Sequence, residues 1–488
     1  MCRRDDNISP GQRGIPARYD TVYITKKVTL EDALCTTPDE AVMIPDPVLL
    51  AAIRDELGIP GSQLTCGDMA ALDWLVLEEG SGLKSLAGLH NAVNLEVLYV
   101  SDTEVSDLTP IRDLASLLYL GVSGSPIADM SVIAGLTGLR TLDIDTIGVT
   151  SIEFLRGLTQ LESLSLRENP IEDLSPLGDL TQLTTLFIDH VSRTTDISAI
   201  AGLLKLERLG IGYLNHEEYG SPDLSHLLGL SNLDQLWSNG LGLSSVAAIG
   251  DLNLSFVDVS SNELTEFDEL AEMDSLTHLY AHSNQVKALP SDMSGMTSLS
   301  LLMIGRNEAI SDLGPLAAVP TLEGLSADGT SVSDMSPLAG LDQLRVLILY
   351  AAEIESVTAV SESLDILDLG ANRITDISGL SGAGNFEVIR LDGNLISDLT
   401  PLVANTGLGE DTQILLEENC LDLEAAETQA WIEDLEIRGV RASTTEAPII
   451  RHATTNACDR RRRPGRPRAC RSARQPGRDR PPRYAPRH

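Results

Sequence analysis

Two histidines four residues apart, His278 and His282, are the chain's candidates for metal chemistry. The surrounding pattern predicts a β-strand, in which four residues span roughly 13 Å. Because two imidazoles so far apart cannot hold one ion, we expect no metal site there. The sequence motifs of a serine nucleophile elbow, a phosphate-binding loop, a zinc-protease helix and a calcium loop are absent. We therefore expect no enzymatic activity and no cofactor.

Aromatic side chains offer a different chemistry, the binding of a partner's surface. Of the 17 aromatic residues, nine fall at positions predicted to point outward from strands. Six large apolar residues come from six consecutive sequence repeats: Phe187, Tyr213, Trp237, Phe256, Tyr280 and Met303. We predict that they form one ligand-binding stripe bordered by Asp189, Asp258, His278 and His282, since binding surfaces are enriched in Tyr and Trp. The alternative is that the rings only pack on each other as cross-strand neighbours and stabilise the sheet.

The elements that position this stripe follow from a repeat of about 22 residues. One unit has apolar residues at Leu95, Leu98, Val100, Val105, Leu108, Ile111 and Leu114, and the pattern recurs in sixteen units. Within each unit a short L-x-L segment predicts a strand with its leucines inward. Stacked units predict an α/β solenoid, a curved horseshoe with a parallel sheet on the concave side.

Two further positions of the repeat predict local structure. An Asn often follows the strand, as at Asn169 and Asn284, and its buried amide can bond the backbone of neighbouring units. Segments such as Asp173-Leu174-Ser175-Pro176-Leu177 predict a short helical or 3₁₀ turn on the convex side. We expect the Ser or Thr to be the N-cap residue and the Pro to be the first helical residue.

The ends of the array require caps, because they would otherwise expose core and strand edge. Asp46 followed by Pro47 predicts the start of a helix, and Thr65 to Asp68 resembles a second helix start. We predict five segments in chain order: a loosely ordered N-terminal segment (1–41), a helical N-terminal cap (42–70), the repeat array (71–421), a C-terminal cap helix and strand (422–442) and a disordered Arg/Pro-rich tail (443–488).

Charge is unevenly distributed along the chain. The formal net charge is −37, yet the last 38 residues hold 13 Arg and only two acidic residues. The acidic repeat body should repel nucleic acid and anionic membrane surfaces. The basic tail is an electrostatic arm, a solvated tail without a binding role, or the product of a shifted reading frame.

The cysteine spacing and the apolar segments bear on the cell compartment in which the protein acts. The six cysteines show no C-x-x-C or Cys/His metal spacing, so we expect single buried cysteines rather than a disulfide framework. No apolar run is long enough to span a membrane, and no signal peptide is visible at Met1. We expect a monomer without membrane insertion.

The repeat and its caps resemble the SDS22-like class of leucine-rich repeats found in bacterial internalin-like surface proteins. The resemblance rests on the L-x-x-L-x-x-L-x-L-x-x-N-x-I-x-D-L-S-P-L unit, on Ile44-Pro45-Asp46-Pro47, and on the segments 405–409, 418–423 and 438–440. It covers residues 42–442. It implies a secreted or surface protein that binds a protein or glycan ligand on its concave face. The alternatives are an intracellular scaffold that regulates an enzyme such as a phosphatase, or the targeting part of a larger effector.

An insertion in the sixth unit is a further candidate for recognition. Gly212 to Gly220 lengthens the connection between the strand and the outer turn. Insertions of this kind project from one face of a solenoid and often bind partners. Tolerated length variation is the alternative.

Overall fold

The computed structural model describes residues 37–77, 80–357 and 359–444. The predicted loose N-terminal segment and the Arg/Pro-rich tail therefore lie almost entirely outside the described residues. Within these ranges the chain is one continuous stack of short units with a shared apolar core.

Seventeen strands of three residues each, counted over the described residues, form one parallel sheet in chain order. Their central residues are buried, except in the last strand, and the flanking residues of each strand are mostly half-buried. The strands are β1 Trp74–Val76, β2 Val97–Tyr99, β3 Tyr119–Gly121, β4 Thr141–Asp143, β5 Ser163–Ser165, β6 Thr185–Phe187, β7 Arg208–Gly210, β8 Gln235–Trp237, β9 Phe256–Asp258, β10 His278–Tyr280, β11 Leu301–Met303, β12 Gly324–Ser326, β13 Val346–Ile348, β14 Ile366–Asp368, β15 Val388–Arg390, β16 Gln413–Leu415 and β17 Arg441–Ser443.

The opposite wall consists of short helical turns. The α-helices of the described chain are α1 Pro47–Glu56, α2 Cys66–Ala71, α3 Ser131–Gly135, α4 His216–Tyr219, α5 Thr400–Ala404 and α6 Ala426–Ile437. Of these, α1, α2 and α6 lie at the ends of the array rather than in this wall. The 3₁₀ helices are Leu89–Asn91, Thr109–Ile111, Glu153–Gly157, Ser175–Asp179, Ser198–Gly202, Leu224–Leu227, Asp268–Leu270, Gly314–Ala318, Ser336–Leu338 and Ser378–Ser381. The predicted solenoid, with its parallel sheet and 3₁₀-rich outer wall, is confirmed.

The capping residue predicted for these outer turns is wrong. In the Ser175–Asp179 turn the N-cap position is Leu174, and Ser175 is already the first helical residue. The carboxylate of Asp173 accepts a hydrogen bond from the Ser175 backbone N–H at 2.8 Å. An Asp two residues before the first helical residue makes the same bond at Asp107, Asp129, Asp196, Asp312, Asp334, Asp376 and Asp398, whereas Asp223 is itself the N-cap residue of its turn. Asp carboxylates, rather than Ser and Thr hydroxyl groups, therefore accept the first backbone hydrogen bonds of most of these outer turns.

The buried asparagines form the predicted backbone ladder. Asn284 donates through Nδ2 to the carbonyls of Val259 at 2.9 Å and Ala281 at 3.1 Å. Its Oδ1 accepts from the Leu264 N–H at 3.0 Å. The Ala281 carbonyl also accepts from Asn307 of the following unit. Each amide thus links two units through backbone groups that would otherwise be buried without partners.

A left-handed residue directly precedes the Asn position in almost every unit. Within the part of the chain that the structure describes, eleven such residues are not glycine, and Tyr213 and Ala351 are examples with φ values of 54° and 53°. Left-handed backbone costs roughly 1 kcal/mol for ordinary L-residues, so the packing of the stacked units must offset that cost at each of these turns.

Both ends of the array are closed by helices. Asp46 caps α1 by accepting from the Val48 and Leu49 N–H groups, as predicted, and its second oxygen accepts from Lys84 and Ser85. Thr65 and Asp68 form the capping box of α2. At the other end Trp431 of α6 packs against the core, and Arg438 donates to the carbonyls of Leu402 and Asn405.

The expectation of unpaired cysteines is wrong. Cys66 and Cys420, the two cysteines among the described residues, are each disulfide-bonded. Cys66 begins α2 at the front of the array, and Cys420 follows the last Asn position of the ladder at its rear. None of the described helices is long and apolar enough to cross a membrane.

Candidate binding surface on the concave sheet

Four rings on the concave face contact each other in sequence, and we call Phe187, Trp237, Phe256 and Tyr280 the aromatic ladder. The Phe187 and Trp237 ring centroids lie 5.6 Å apart, those of Trp237 and Phe256 4.8 Å, and those of Phe256 and Tyr280 5.2 Å. The rings are tilted rather than stacked face to face. All four side chains are half-buried, so each keeps part of its ring in contact with solvent.

A glycine allows two of these rings to meet across an intervening strand. Gly210 of β7 pairs with Phe187 on one side and with Trp237 on the other. A Cβ atom at Gly210 would lie 2.6 Å from the Phe187 ring and 2.6 Å from a carboxylate oxygen of Asp189. The missing side chain at Gly210 is therefore what lets Phe187 reach Trp237.

Tyr213 does not belong to the aromatic ladder, contrary to the predicted stripe. It lies in the left-handed turn after β7, and the outward strand position of its unit holds Gly210. The Tyr213 ring stacks on His190 with centroids 4.7 Å apart and covers Gly240. It is 43% exposed and forms a separate aromatic pair beside the C-terminal ends of the strands.

The remaining predicted residues lie along the same part of the sheet. Met303 pairs with Tyr280 in the register and extends the apolar surface by one strand. His278 is 6.1 Å from the Phe256 ring and bonds Thr277 through Nδ1. His282 lies beyond the strand end, where Nδ1 is 3.3 Å from the Ser283 hydroxyl. The stripe is thus continuous from Phe187 to Met303 except at Tyr213.

Asp258 is the charged group at the centre of this surface. Its Oδ1 accepts from the Ser260 N–H at 2.9 Å and from the Ser260 hydroxyl at 2.6 Å. Burial raises the pKa of Asp258, although those hydrogen bonds and His282 oppose the rise. Burial lowers the pKa of His282, so its imidazole is uncharged at neutral pH. Burial raises the pKa of Tyr280, and the negative charge on Asp258 raises it further.

A buried acidic network borders the Phe187 end of the aromatic ladder. The Arg167 guanidinium lies 3.9 Å from the Phe187 ring centroid, and its Nε is 3.0 Å from Asp189. Asp145 is only 1% exposed and accepts from the Ser165 hydroxyl and the Arg167 N–H. Burial and the neighbouring carboxylate of Asp143 raise the pKa of Asp145 to about 6.

Arg167 and Gly210 are the residues that sequence reasoning missed. Both could have been found from the repeat alignment, because Gly210 occupies an outward strand position between two units that carry aromatics. Arg167 lies after β5 at the position that Asp189 occupies after β6. Outside the aromatic ladder, Gly121 beside Tyr99 repeats this ring-over-glycine pairing.

Comparison with known proteins agrees with this architecture. A family model described as two copies of leucine-rich repeats matches residues 159–203. A leucine-rich-repeat structure from Leptospira interrogans matches with a TM-score of 0.59 at 21% identity, over 72% of this chain and 97% of the other. The fold is a leucine-rich-repeat solenoid.

Two further solenoid structures resemble the chain. The functional domain of the internalin InlJ from Listeria monocytogenes matches with a TM-score of 0.51 at 19% identity, over 78% of this chain and 83% of the other. The Arabidopsis receptor kinase HAESA, solved with the peptide hormone IDA and a co-receptor, matches with a TM-score of 0.52 at 18% identity, over 71% and 66%. No curated protein matches the sequence. The resemblance to bacterial leucine-rich-repeat proteins is confirmed at the level of the fold.

Proposed function

We propose that this chain is a non-enzymatic recognition module that binds a protein partner on the aromatic ladder. The observation that carries the proposal is the contact chain from Phe187 to Tyr280, in which every ring is packed yet half-exposed. Rigid aromatic side chains that keep solvent contact are typical binding anchors, because little conformational entropy is lost when a partner covers them. Curved repeat arrays generally use such extended concave surfaces for recognition.

The site of action in this proposal is the cell surface or the extracellular medium. Disulfide-bonded Cys66 and Cys420 support it, because disulfides persist in oxidising compartments and are rare in the cytosol. The likeness in fold to an internalin domain from Listeria monocytogenes agrees with it. The same disulfides argue against an intracellular regulatory scaffold.

The test uses peptides selected for binding to the full chain from a phage-displayed library of random sequences. Trp237→Ala and Tyr280→Ala remove two rings of the aromatic ladder without touching the buried strand centres. We expect each variant to weaken the selected peptides at least tenfold, as the loss of an aromatic anchor does. Affinity is measured by isothermal titration calorimetry on folded protein.

Tyr350→Ala is the matched control. Tyr350 is a 40% exposed aromatic residue that follows β13, beyond the aromatic ladder. We expect this variant to bind the same peptides with unchanged affinity. If the ladder variants bind as the wild type does while their thermal midpoints fall, the rings serve only to stabilise the sheet and the proposal is wrong.

A further inference from the structure

The carboxylate of Asp258 lies among three rings of the aromatic ladder. In the sheet register Asp258 is paired with Trp237 on one neighbouring strand and with Tyr280 on the other. Phe256 lies two residues earlier on the same face of β9, and its ring contacts both of those rings. Aromatic groups therefore border the carboxylate on three sides.

Asp258 lacks a cationic partner among the residues that the structure describes. Its side chain accepts two hydrogen bonds, both from Ser260 and both through Oδ1. No ion pair joins it to a Lys or Arg of those residues. The nearby imidazole of His282 is uncharged at neutral pH, because burial lowers its pKa. A half-buried carboxylate without a counter-charge carries a desolvation cost that a bound cation would offset.

At two other places in this chain an aromatic ring and a carboxylate are accompanied by an Arg side chain. Arg167 lies over the Phe187 ring at 3.9 Å while its Nε pairs with Asp189 at 3.0 Å. Arg390 lies 5.9 Å from the Tyr350 ring centroid and pairs with Asp368 at 3.1 Å. In both places an aromatic face and a carboxylate hold one guanidinium. The site at Asp258 has three rings and a carboxylate, but the described residues supply no Arg or Lys to pair with them.

We propose that the partner places a Lys or Arg side chain between Trp237 and Tyr280, against the carboxylate of Asp258. This inference rests on the proposed function and names the chemistry of its ligand, a basic segment of another protein. The ring faces attract the cation and the carboxylate neutralises it, an arrangement that is strongest when water is excluded. The formal net charge of −37 adds long-range attraction for a basic partner.

The experiment measures one peptide from the phage selection against the full chain. We expect the peptide to contain a Lys or Arg whose replacement by Gln weakens binding at least tenfold. Asp258→Asn should weaken the unaltered peptide by a similar factor. Combining the two changes should add little, because both remove the same contact. Asp328→Asn is the control, since that concave carboxylate lies outside the aromatic ladder, and it should change affinity less than threefold.

Several results would overturn this inference, and they are distinct from failure of the proposed function. If Trp237→Ala abolishes binding while Asp258→Asn and the Gln peptide leave it unchanged, the aromatic ladder binds a neutral partner. Binding that arises only after residues 451–488 are removed would mean that the chain's own Arg-rich segment occupies the site. Loss of every dependence on Trp237 and Tyr280 would instead defeat the proposed function itself.

Discussion

Gly210 lies under the edge of the Phe187 ring, so closely that a Cβ atom at Gly210 would be 2.6 Å from a ring carbon. This close approach allows Phe187 on β6 to contact Trp237 on β8 across the intervening strand β7. The continuity of the aromatic ladder therefore depends on a residue that has no side chain.

Gly210→Ala should break this contact. We expect a loss of about 1–2 kcal/mol in unfolding free energy, because an overpacked methyl group forces the ring from its position. Near-ultraviolet circular dichroism should change as Phe187 separates from Trp237. Gly202→Ala is the control, since a Cβ there has no neighbour within 4 Å. An unchanged spectrum and unchanged stability for Gly210→Ala would show that the ring adjusts without cost.

Asn284→Ala tests the buried amide ladder. The substitution leaves the Leu264 N–H without its acceptor and removes a donor from two carbonyls, so we expect a loss of about 2–3 kcal/mol. Urea unfolding monitored by circular dichroism measures it. The exposed amide of Asn232 donates to the Leu204 carbonyl at 2.8 Å, and Asn232→Ala should cost about 0.5 kcal/mol or less. Equal losses in the two variants would contradict the structural role assigned to the ladder.

Asp46→Asn tests how the N-terminal cap is attached. Burial favours a higher pKa for Asp46, but four backbone N–H donors outweigh it and lower the pKa. A lowered folded-state pKa gives stability that is present above the unfolded value near 3.8 and lost as pH falls through the folded value. The variant should lose about 2 kcal/mol at pH 7, and less at pH 3.

Thermal unfolding across pH 3 to 8 checks this prediction. Asp55→Asn is the control, because Asp55 is exposed in the last turn of α1. We expect the control to follow the wild type throughout. A stability difference for Asp46→Asn that grows toward low pH would contradict the assigned sign.

Asp145→Asn should act in the opposite direction. Burial and Asp143 raise the pKa of Asp145 to about 6, so its contribution to stability is full below 3.8 and is lost as pH rises through 6. An Asn oxygen can still accept from Ser165 and the Arg167 N–H. We expect the variant to gain about 1 kcal/mol at pH 8 and almost nothing at pH 4. Chemical unfolding at the two pH values measures the difference, and a loss at pH 8 would refute it.

The periodic leucines made the solenoid predictable. Residues such as Leu186 and Leu209 must point inward in every unit, so their spacing defines strand, register and core together. The caps at Asp46 and Thr65 were predictable for a similar reason, because a side-chain acceptor before a helix start acts through nearby backbone groups.

The outward surface was less predictable because periodicity constrains it less. Tyr213 comes three residues after the end of its strand and has left-handed backbone. An aromatic side chain at that position does not lie on the sheet face. A Ser or Thr before Pro has the sequence pattern of an N-cap residue, but the side chain that accepts the first N–H of the turn is the Asp one residue before the actual N-cap. The spacing of the six cysteines follows no C-x-x-C or other framework pattern, so it carries no signal for the disulfide bonding of Cys66 and of Cys420.

The fluorescence of Trp237 measures most directly whether the aromatic ladder is the binding surface. The chain has three tryptophans, Trp74, Trp237 and Trp431, so replacing the other two by Phe leaves Trp237 as the single reporter. Titration with a selected peptide should shift the emission of Trp237 to shorter wavelength, with a midpoint equal to the calorimetric dissociation constant. Saturable binding that leaves the Trp237 emission unchanged would contradict the account.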